Sequence, residues 1–596
     1  MAKPFLQCHR RFKNGKDHCY WSIAEKVRTH RGWVQRHLLY LGEINDSQKE
    51  AWTKLTEVFD TQSDLTRPLA LYPADRAVPE HAAEYGVQVR LKEFALRRPR
   101  QWGACWVGCR LWDQLQLEPF WRERLPDSRE GTCWRHVLQT LATYRLIDPG
   151  SEWRLHREWF KNSAMADLLG EDFSLAQKDN LYRCLDKLLE HREALFRHLR
   201  ARWQDLFGVK FEVLLYDLTS TYFESDPPFA EGDKRRYGYS RDKRPDCVQV
   251  VIALVVTPEG FPLAYEVMAG NTSDRTTLRA FLKRIEELHG KAQRVWVMDR
   301  GIPTEEVLEE MRACDPPIHY LVGTPKGRLT QYEQQLLERP WQVVRDGVQV
   351  KLLPQDKELY VLAQSNDRVN KERAMRRRQL KGLVRRLKEL RQMTLSRDQL
   401  LLKLGAAKAL YPVAWRLVHT QVPQEGELVN EQTFGFKLRT NKLRQVRRRE
   451  GRYLLRSNLS PEDPGKLWQF YIQLTQVEAA FKDLKDDLSL RPIFHQLEHR
   501  IEAHIFVAFL AYCLHVNLRA CLRPSAPGLT PRSVLEKFAA LQMLDVHFPT
   551  TDGRELVFCR YTQPERDHKM LLTQLGWELP PQSPPRITQK GQLEMP

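Results

Sequence analysis

Between residues 466 and 501 the chain reads KLWQFYIQLTQVEAAFKDLKDDLSLRPIFHQLEHRI, and Tyr471, Leu474, Glu478, Phe481 and Lys485 recur at steps of three and four. That spacing predicts a helix. Seven residues make nearly two turns, so Tyr471, Glu478 and Lys485 share a face. Phe470, Leu474, Val477, Phe481, Leu484 and Leu488 supply the apolar packing beside it. Two runs rich in β-formers, VLLYDLTSTYF at 213–223 and RVWVMDRG at 294–301, predict buried strands. From 209 to 330 the pattern reads strand, polar loop, strand (VQVVIALVVT), hairpin at Pro258-Glu259-Gly260, strand (PLAYEVM), helix 275–288, strand, helix 304–313 and strand (IHYLVGT).

The flanks are patterned too. Short strands CYWSIAEKV and WVQRHLLYLGEI, with an Asn14-Gly15 hairpin signal before them, are expected in residues 1–45. A helix is expected over 47–59, then strand near VQVRLKEFAL, 87–96. Residues 104–207 read as helices, with Leu181, Leu185, Leu188, Leu189, Leu195 and Leu199 on their apolar side. Hairpin strands turned at Asp346-Gly347 are expected in 341–365, and further strands in VAWRLVHTQV and FGFKLRTN. Between them runs a helix, 368–391, whose Leu380, Leu383, Leu387 and Leu390 form either an internal docking seam or a short coiled-coil contact. One more long helix reaches about Leu522, and the proline-rich end predicts disorder over the last fifteen or so residues.

Composition narrows the partners. The chain has 596 residues, enough for several domains, and a net charge of +18. A surplus of cations points to a polyanion, because cationic side chains release counterions from nucleic acid. Residues 368–391 hold eleven Lys or Arg against two acids, and 437–456 add nine more basic residues, Arg447-Arg448-Arg449 among them. The apolar run IFVAFLAYCLHVNL, 505–518, is too short to span a bilayer and is read as a buried helix, so no membrane partner is expected. The first residues lack the apolar core of a signal peptide, which points to the cytosol.

Eleven cysteines without a CxxC pair argue against a disulfide framework, and Cys105 and Cys109 read as packing on one helix face. Cys8, His9, His18 and Cys19 mirror one another around a turn and offer zinc-type ligands at a spacing no standard finger uses. Asp217 inside one strand, Asp299 at the end of another and Glu478 on the helix are the main chemical candidates. Each alone is open to a structural reading: a strand-end turn for either Asp, an ion pair with Lys482 for Glu478. Together they suit hard divalent ions, which take oxygen ligands. Asp226, Asp233, Asp242 and Asp246 in the loop 231–246 and its approach are rival ligands ranked lower, since loop carboxylates are usually solvated.

These residues carry a resemblance. YDLTSTYFE at 216–224, the segment 238–278, VWVMDRGIPTEEVLEEM at 295–311, YLVGTPKGRL at 320–329 and the segment 471–514 resemble the DDE transposases of bacterial insertion sequences. The branch is the one with a Tyr-x2-Arg-x3-Glu-x6-Lys signature, in its group with a long amino-terminal region. The resemblance implies an α/β fold: a ribonuclease-H-like catalytic core interrupted by a β-rich insertion domain, with N-terminal β-rich and helical DNA-binding regions. The family's two Asp residues map to Asp217 and Asp299, its Glu to Glu478, its Tyr to Tyr471 and its Lys to Lys485. The signature Arg position holds Leu474, so that phosphate contact must come from elsewhere, with Gln473 and Lys482 the candidates.

The resemblance further implies two Mg²⁺ (or Mn²⁺) held by Asp217, Asp299 and Glu478, and DNA contacts from Tyr471, Lys485, Lys482 and Arg300. Double-stranded DNA, as transposon ends and target, is the expected partner, bound by a homodimer across paired ends in the bacterial nucleoid. The expected divisions are an N-terminal β-rich basic region (1–100), a helical bundle (101–208), the first part of the core (209–330), the insertion (331–456), the second part of the core (457–525) and a C-terminal region (526–596). Trp341, Trp415 and Trp468 are candidates for stacking on an extruded base, and each is equally a core residue. Two rivals stay open: a catalytically inactive DNA-binding relative, and a nuclease of the same fold that cuts without joining.

Overall fold

The computed structural model describes residues 4–13, 16–29, 32–44, 55–224, 229, 232–240, 244–272, 274–289, 294–299, 302–324, 332, 335–336, 338–355, 358–459, 467, 469, 472, 474–491 and 493–589. Strands are numbered in chain order. An antiparallel sheet of β1 (Phe5–Lys13), β2 (Lys16–Thr29) and β3 (Gly32–Glu43) comes first. Then follow β4 (Thr56–Asp60), β5 (Leu65–Pro73), β6 (Gly86–Val89) and β7 (Ala95–Gln101). The central strands are β8 (Val213–Phe223), β9 (Val248–Val256), β10 (Pro262–Ala269), β11 (Val295–Met298) and β12 (His319–Gly323). Next come β13 (Gln342–Arg345), β14 (Val348–Gln355), β15 (Glu358–Ser365), β16 (Val418–Gln421), β17 (Gly435–Leu438) and β18 (Arg452–Ser457). The last three are β19 (Gln542–Pro549), β20 (Arg554–Tyr561) and β21 (Arg586–Gln589).

The central sheet has nine strands in the order β10-β9-β8-β11-β12-β18-β15-β14-β13. β8, β9 and β10 are antiparallel neighbours, whereas β11 runs parallel to both β8 and β12. β9 is buried at all nine positions because both faces of the sheet are covered. On one face Tyr216 meets Phe281 of the helix Asp274–His289, ring centroids 5.2 Å apart. The other face is covered by the helix Leu474–Lys482 and the long helix Glu498–Leu522. That long helix is apolar and long enough to cross a membrane, yet 83% of its most apolar window is buried, as expected of a core helix. Within 342–457 the strands β13, β14, β15 and β18 continue the central sheet, and Leu383, Leu387 and Leu390 of the helix Asn366–Gln392 bury against the helix Arg397–Leu410. The leucine stripe is therefore an internal docking seam.

Three expectations are corrected. Of the helix expected over 47–59, residues 45–54 lie outside the described residues and Thr56–Asp60 is strand β4, alternating Val58 and Asp60 inward. The expected disorder of the last fifteen residues fails for Arg586–Gln589, which forms β21 between β20 and β4, with Ile587 filling the core beneath. The order β6-β5-β4-β21-β20-β19-β7 thus joins both ends of the chain in one seven-stranded sheet. The run expected as one strand near 87–96 is split by a helical turn at Leu91–Glu93.

The helix Gly103–Gln114 begins flush against this sheet's neighbour, its Gly103 amide donating to the Leu541 carbonyl at 2.9 Å. A Cβ at Gly103 would lie 2.2 Å from the Phe538 carbonyl oxygen and 2.8 Å from Leu541 Cβ. Neither neighbour is the free end of a side chain. Gly103→Ala is expected to lower stability by about 1–3 kcal/mol, the usual cost of overpacking, read as a lower urea midpoint; an unchanged midpoint would show that the helix slides freely.

Candidate active site

β8 and β11 pair in parallel register up to Tyr216 opposite Met298. The next step of that register brings Asp299, the residue directly after β11, level with Asp217. Successive strand side chains alternate faces, so Asp217 shares its face with Thr219 and with Leu254, its partner on β9. Thr219 and Leu254 line a small apolar void together with Phe481, Leu484 and Phe509. Phe481 lies three residues beyond Glu478 on the helix Leu474–Lys482, and positions three apart are neighbours on a helix face. The helix bearing Glu478 therefore covers the face that carries Asp217. Asp217 is half-buried and its Oδ1 accepts a hydrogen bond from the Leu218 amide at 2.8 Å; Asp299 and Glu478 are exposed.

The helix does not run on evenly. Asp483–Asp487 is a wide turn in which the Leu488 amide donates to the Asp483 carbonyl, five residues back, at 2.9 Å. A wide turn takes more residues per turn than an α-helix, so Lys485, inside it, does not continue the straight face that seven-residue spacing predicts. Lys485 is half-buried in that turn and Lys482 is exposed just before it. Leu474 opens the described helix. Tyr471, Gln473, Arg300 and Trp468 lie outside the described residues, as do Asp226 and Asp242.

Two of the rival carboxylates are engaged structurally. Asp233 is buried and clamped by Arg235, whose Nη2 donates to it at 2.7 Å. Asp246 is held at about 2 by hydrogen bonds from Arg244. Trp341 is half-buried beneath the Lys351 ammonium, 4.9 Å from its ring, and Trp415 packs against the apolar cluster of the basic helix. The Cys8/His9/His18/Cys19 zinc reading is corrected by register. On β1 and β2, Arg10 pairs with Cys19 and Arg11 with His18, so the two cysteines and the two histidines fall on opposite faces of one sheet.

Among the described residues, three groups place three metal-capable side chains with donor atoms within 4.8 Å: Cys133, His136 and Glu171; Glu152, His495 and His504; Asp483, Asp487 and His515. Asp217, Asp299 and Glu478 do not form such a group. They offer carboxylate oxygens only, the donor type that magnesium and manganese prefer, and they come from one sheet face and the helix covering it. The second group was not legible in the sequence. Arg145 reaches Glu152 at 3.7 Å and donates to the Ser489 carbonyl at 3.1 Å. His495 and His504 stand 3.2 Å and 3.4 Å from the same carboxylate. Burial and the Arg145 cation push His504 down to about 4, so its ring is neutral. This buried set ties the helical region to the segment that follows the wide turn, and a guanidinium already supplies its positive charge.

Asp483 gives the site region a pH signature. Burial, opposed by Arg519 at 3.2 Å, pushes its carboxyl up to about 6 from an ordinary 3.8. The folded state thus holds a proton that the unfolded chain releases. Stability from this group is full below about 3.8 and is lost as pH rises through about 6. Asp483→Asn should flatten the dependence of melting temperature on pH across that window. A slope equal to wild type would mean that the carboxyl titrates normally.

The model of the family described as Transposase DDE domain matches residues 209–514, just over half of the chain. No curated protein matches. Among solved structures, the chain is similar to one described as a cryo-EM structure of the piggyBac transposase synaptic complex with hairpin DNA. The identity is 9%, the match covers 73% of this chain and 76% of that one, and the TM-score is 0.32, too low to bear on the site. The matched span runs from before Asp217 to the long helix beyond Glu478, and the chain belongs to the family of DDE transposases.

Proposed function

We propose that the protein is a DNA transposase that binds the terminal inverted repeats of an insertion sequence and cuts and joins DNA strands by phosphoryl transfer. The observation that carries the reading is the shared face: Asp217 and Asp299 level on adjacent parallel strands, under the helix of Glu478, inside the family's matched span. The antiparallel β8-β9-β10 followed by parallel β11 and β12 supports a ribonuclease-H-like core with the 331–456 segment inserted before the Glu478 helix. Asp217, Asp299 and Glu478 would hold two Mg²⁺ or Mn²⁺; bound there, such ions activate an attacking water or 3′-hydroxyl and stabilise the leaving 3′-oxygen. The chain's own part is to fix the carboxylates on rigid elements. Lys482 and Lys485 act as point charges on the DNA backbone, with Tyr471 and Arg300 as further contacts.

Exposed Lys371, Arg373, Arg377, Arg378 and Lys381, with Arg447 and Arg448 of the helix Thr440–Arg449, offer a second cationic surface for phosphates. Arg376, by contrast, is buried in an ion pair with Glu450 and is structural. A homodimer across paired ends, working at the nucleoid of a bacterial cytosol, completes the proposal. The test is a product assay: a labelled duplex copied from the end of the element's own flank, incubated with Mg²⁺ and a target plasmid. Nicked ends and joined species together are the expected products. Cutting without any joined species would favour the nuclease reading, and binding without cutting under Mg²⁺ or Mn²⁺ the inactive relative.

A further inference from the structure

Two of the three groups of metal-capable side chains already hold a cation: Arg145 stands 3.7 Å from Glu152, and Arg519 3.2 Å from Asp483. The group of Cys133, His136 and Glu171 is different. Its donor atoms lie within 4.8 Å of one another. Arg135, whose charge reaches Cys133, is taken up by Glu118 at 2.9 Å and by Asp127. The group lies before residue 209, outside the span of the family match and away in sequence from the carboxylate face.

Local backbone hydrogen bonds set each ligand in place. The turn before the helix Trp134–Ile147 is closed by the Ser128 amide on the Thr132 carbonyl and by the Thr132 amide on Ser128 Oγ, each at 2.9 Å. Cys133 follows in the capping position of that helix, where Ser, Thr, Asp or Asn caps better. Three residues on, the His136 amide donates to the Cys133 carbonyl at 3.1 Å, which keeps both residues at one end of the helix. Glu171 arrives from elsewhere. The helix Met165–Leu169 ends at Gly170, in the left-handed region at φ 69°, and the Glu171 amide returns to the Ala166 carbonyl at 2.9 Å. His136 Nδ1 and Glu171 Oε1 then meet at 2.7 Å. Cys133 is buried, while the side chains of His136 and Glu171 are 20% and 25% exposed.

Donor chemistry selects the ion. Thiolate, imidazole and carboxylate are the ligands that zinc takes, at about 2.3, 2.0–2.1 and 2.0–2.2 Å, whereas magnesium and calcium take oxygen. Around a tetrahedral ion those lengths put nitrogen about 3.4 Å from oxygen and sulfur about 3.6 Å from either. The His136–Glu171 contact therefore has to open by about 0.7 Å to admit the ion, a small rotation for two side chains that reach the surface. One thiolate and one carboxylate match the two charges of the ion. Burial pushes the free Cys133 thiol up to about 11, so metal binding displaces its proton to water. The exposed side leaves a fourth position for water, as in zinc sites with three protein ligands.

We propose that Cys133, His136 and Glu171 form a zinc site, with water as fourth ligand, that pins the start of the helix Trp134–Ile147 to the corner at Gly170–Glu171. The other end of that helix carries Arg145, which holds the Ser489 carbonyl at 3.1 Å just beyond the wide turn. The site thus braces the helix that meets the segment following Glu478. It stands apart from the transposase reading, since it needs neither DNA nor cleavage.

The test uses the full-length protein, stripped of metal and titrated with Co²⁺ and then Zn²⁺. A thiolate ligand gives cobalt a sulfur-to-metal charge-transfer absorption that a carboxylate site cannot give. Wild type should show it at one ion per chain, lose it on adding Zn²⁺, and melt at a higher temperature with zinc. Cys133→Ser should lose the absorption. His136→Gln and Glu171→Gln should keep it but bind zinc at least about tenfold more weakly, no less than removal of a residue that merely supports a ligand costs. These two positions reach the surface, so they decide the matter even if Cys133→Ser does not fold. No zinc uptake by the wild type at micromolar metal, absorption that survives Cys133→Ser, or wild-type zinc affinity in both glutamine variants would overturn the site and leave His136 and Glu171 as a plain hydrogen bond. A protein that takes up zinc through Cys133 yet never cuts DNA would keep this inference and lose the transposase reading; cutting and joining without zinc uptake would do the reverse.

Discussion

Asp217→Asn should fold, bind the repeat duplex as wild type does, and cut it at least about 10³-fold more slowly, equivalent to about 4 kcal/mol of barrier. The substitution keeps shape and removes charge. The carbonyl oxygen of Asn can still accept the Leu218 amide, which Asp217 Oδ1 accepts at 2.8 Å, so the local strand geometry is preserved. What is lost is a carboxylate at the position level with Asp299, on the face under the Glu478 helix. An amide is a weak ligand for hard divalent ions, which take carboxylate oxygen. On the proposed function the change should therefore fall on the chemical step and not on DNA affinity, which that proposal assigns to the cations. Cleavage within tenfold of wild type at saturating Mg²⁺ would remove Asp217 from the reaction. Equal loss of cleavage and of duplex binding would recast it as a structural residue.

Local pattern carried much of this fold. The apolar runs that became β8 and β11 placed Asp217 and Asp299, and the Leu383, Leu387 and Leu390 stripe marked the buried side of the basic helix. Both are properties of period alone. What escaped is set by partners far away in the chain. Ile587 lies in a proline-rich tail whose composition suggests disorder, yet β21 is held by β20 and by β4, more than 500 residues earlier. The wide turn at Asp483–Asp487 interrupts a sequence with regular helical spacing, so periodicity put Lys485 on a face that the backbone does not keep. The mirrored Cys8-His9 and His18-Cys19 pairs suggested a ligand set; alternation across the β1–β2 hairpin separates sulfur from nitrogen. In the site itself, residue types were readable from motif, while their common face depended on register, which single-sequence reading does not supply.

Arg100→Met should be the most damaging single substitution outside the site, with an expected loss of about 3–5 kcal/mol, the cost of breaking a buried ion pair from one side. Arg100 is 1% exposed. Its Nε and Nη2 donate to Asp167 at 2.7 Å and 2.9 Å, Nη2 also to Asp545 at 2.9 Å, and Nη1 to the Arg98 carbonyl at 2.7 Å. Backbone geometry delivers it there. The pairing of β7 with β19 slips by one residue between Arg97 and Arg100, with Arg98 in the left-handed region at φ 48° and Pro99 beside it. Proline is tolerated at such a bulge, where no ladder hydrogen bond is required of it. Burial alone would favour a neutral guanidine, but the two carboxylates outweigh it and hold the cation. Methionine matches much of the volume and leaves Asp545, 3% exposed, without its closest cation and with the longer 3.4 Å contact to Arg98. Arg100→Lys should cost less, because one ammonium keeps the charge but cannot span Asp167, Asp545 and the Arg98 carbonyl together. Arg100→Met/Asp545→Leu should recover part of the loss, since removing both charges avoids an uncompensated one. Urea unfolding followed by limited proteolysis of the joined terminal sheet measures all three. A loss below about 1 kcal/mol for Arg100→Met would mean that water reaches Asp545 and replaces the guanidinium at little cost.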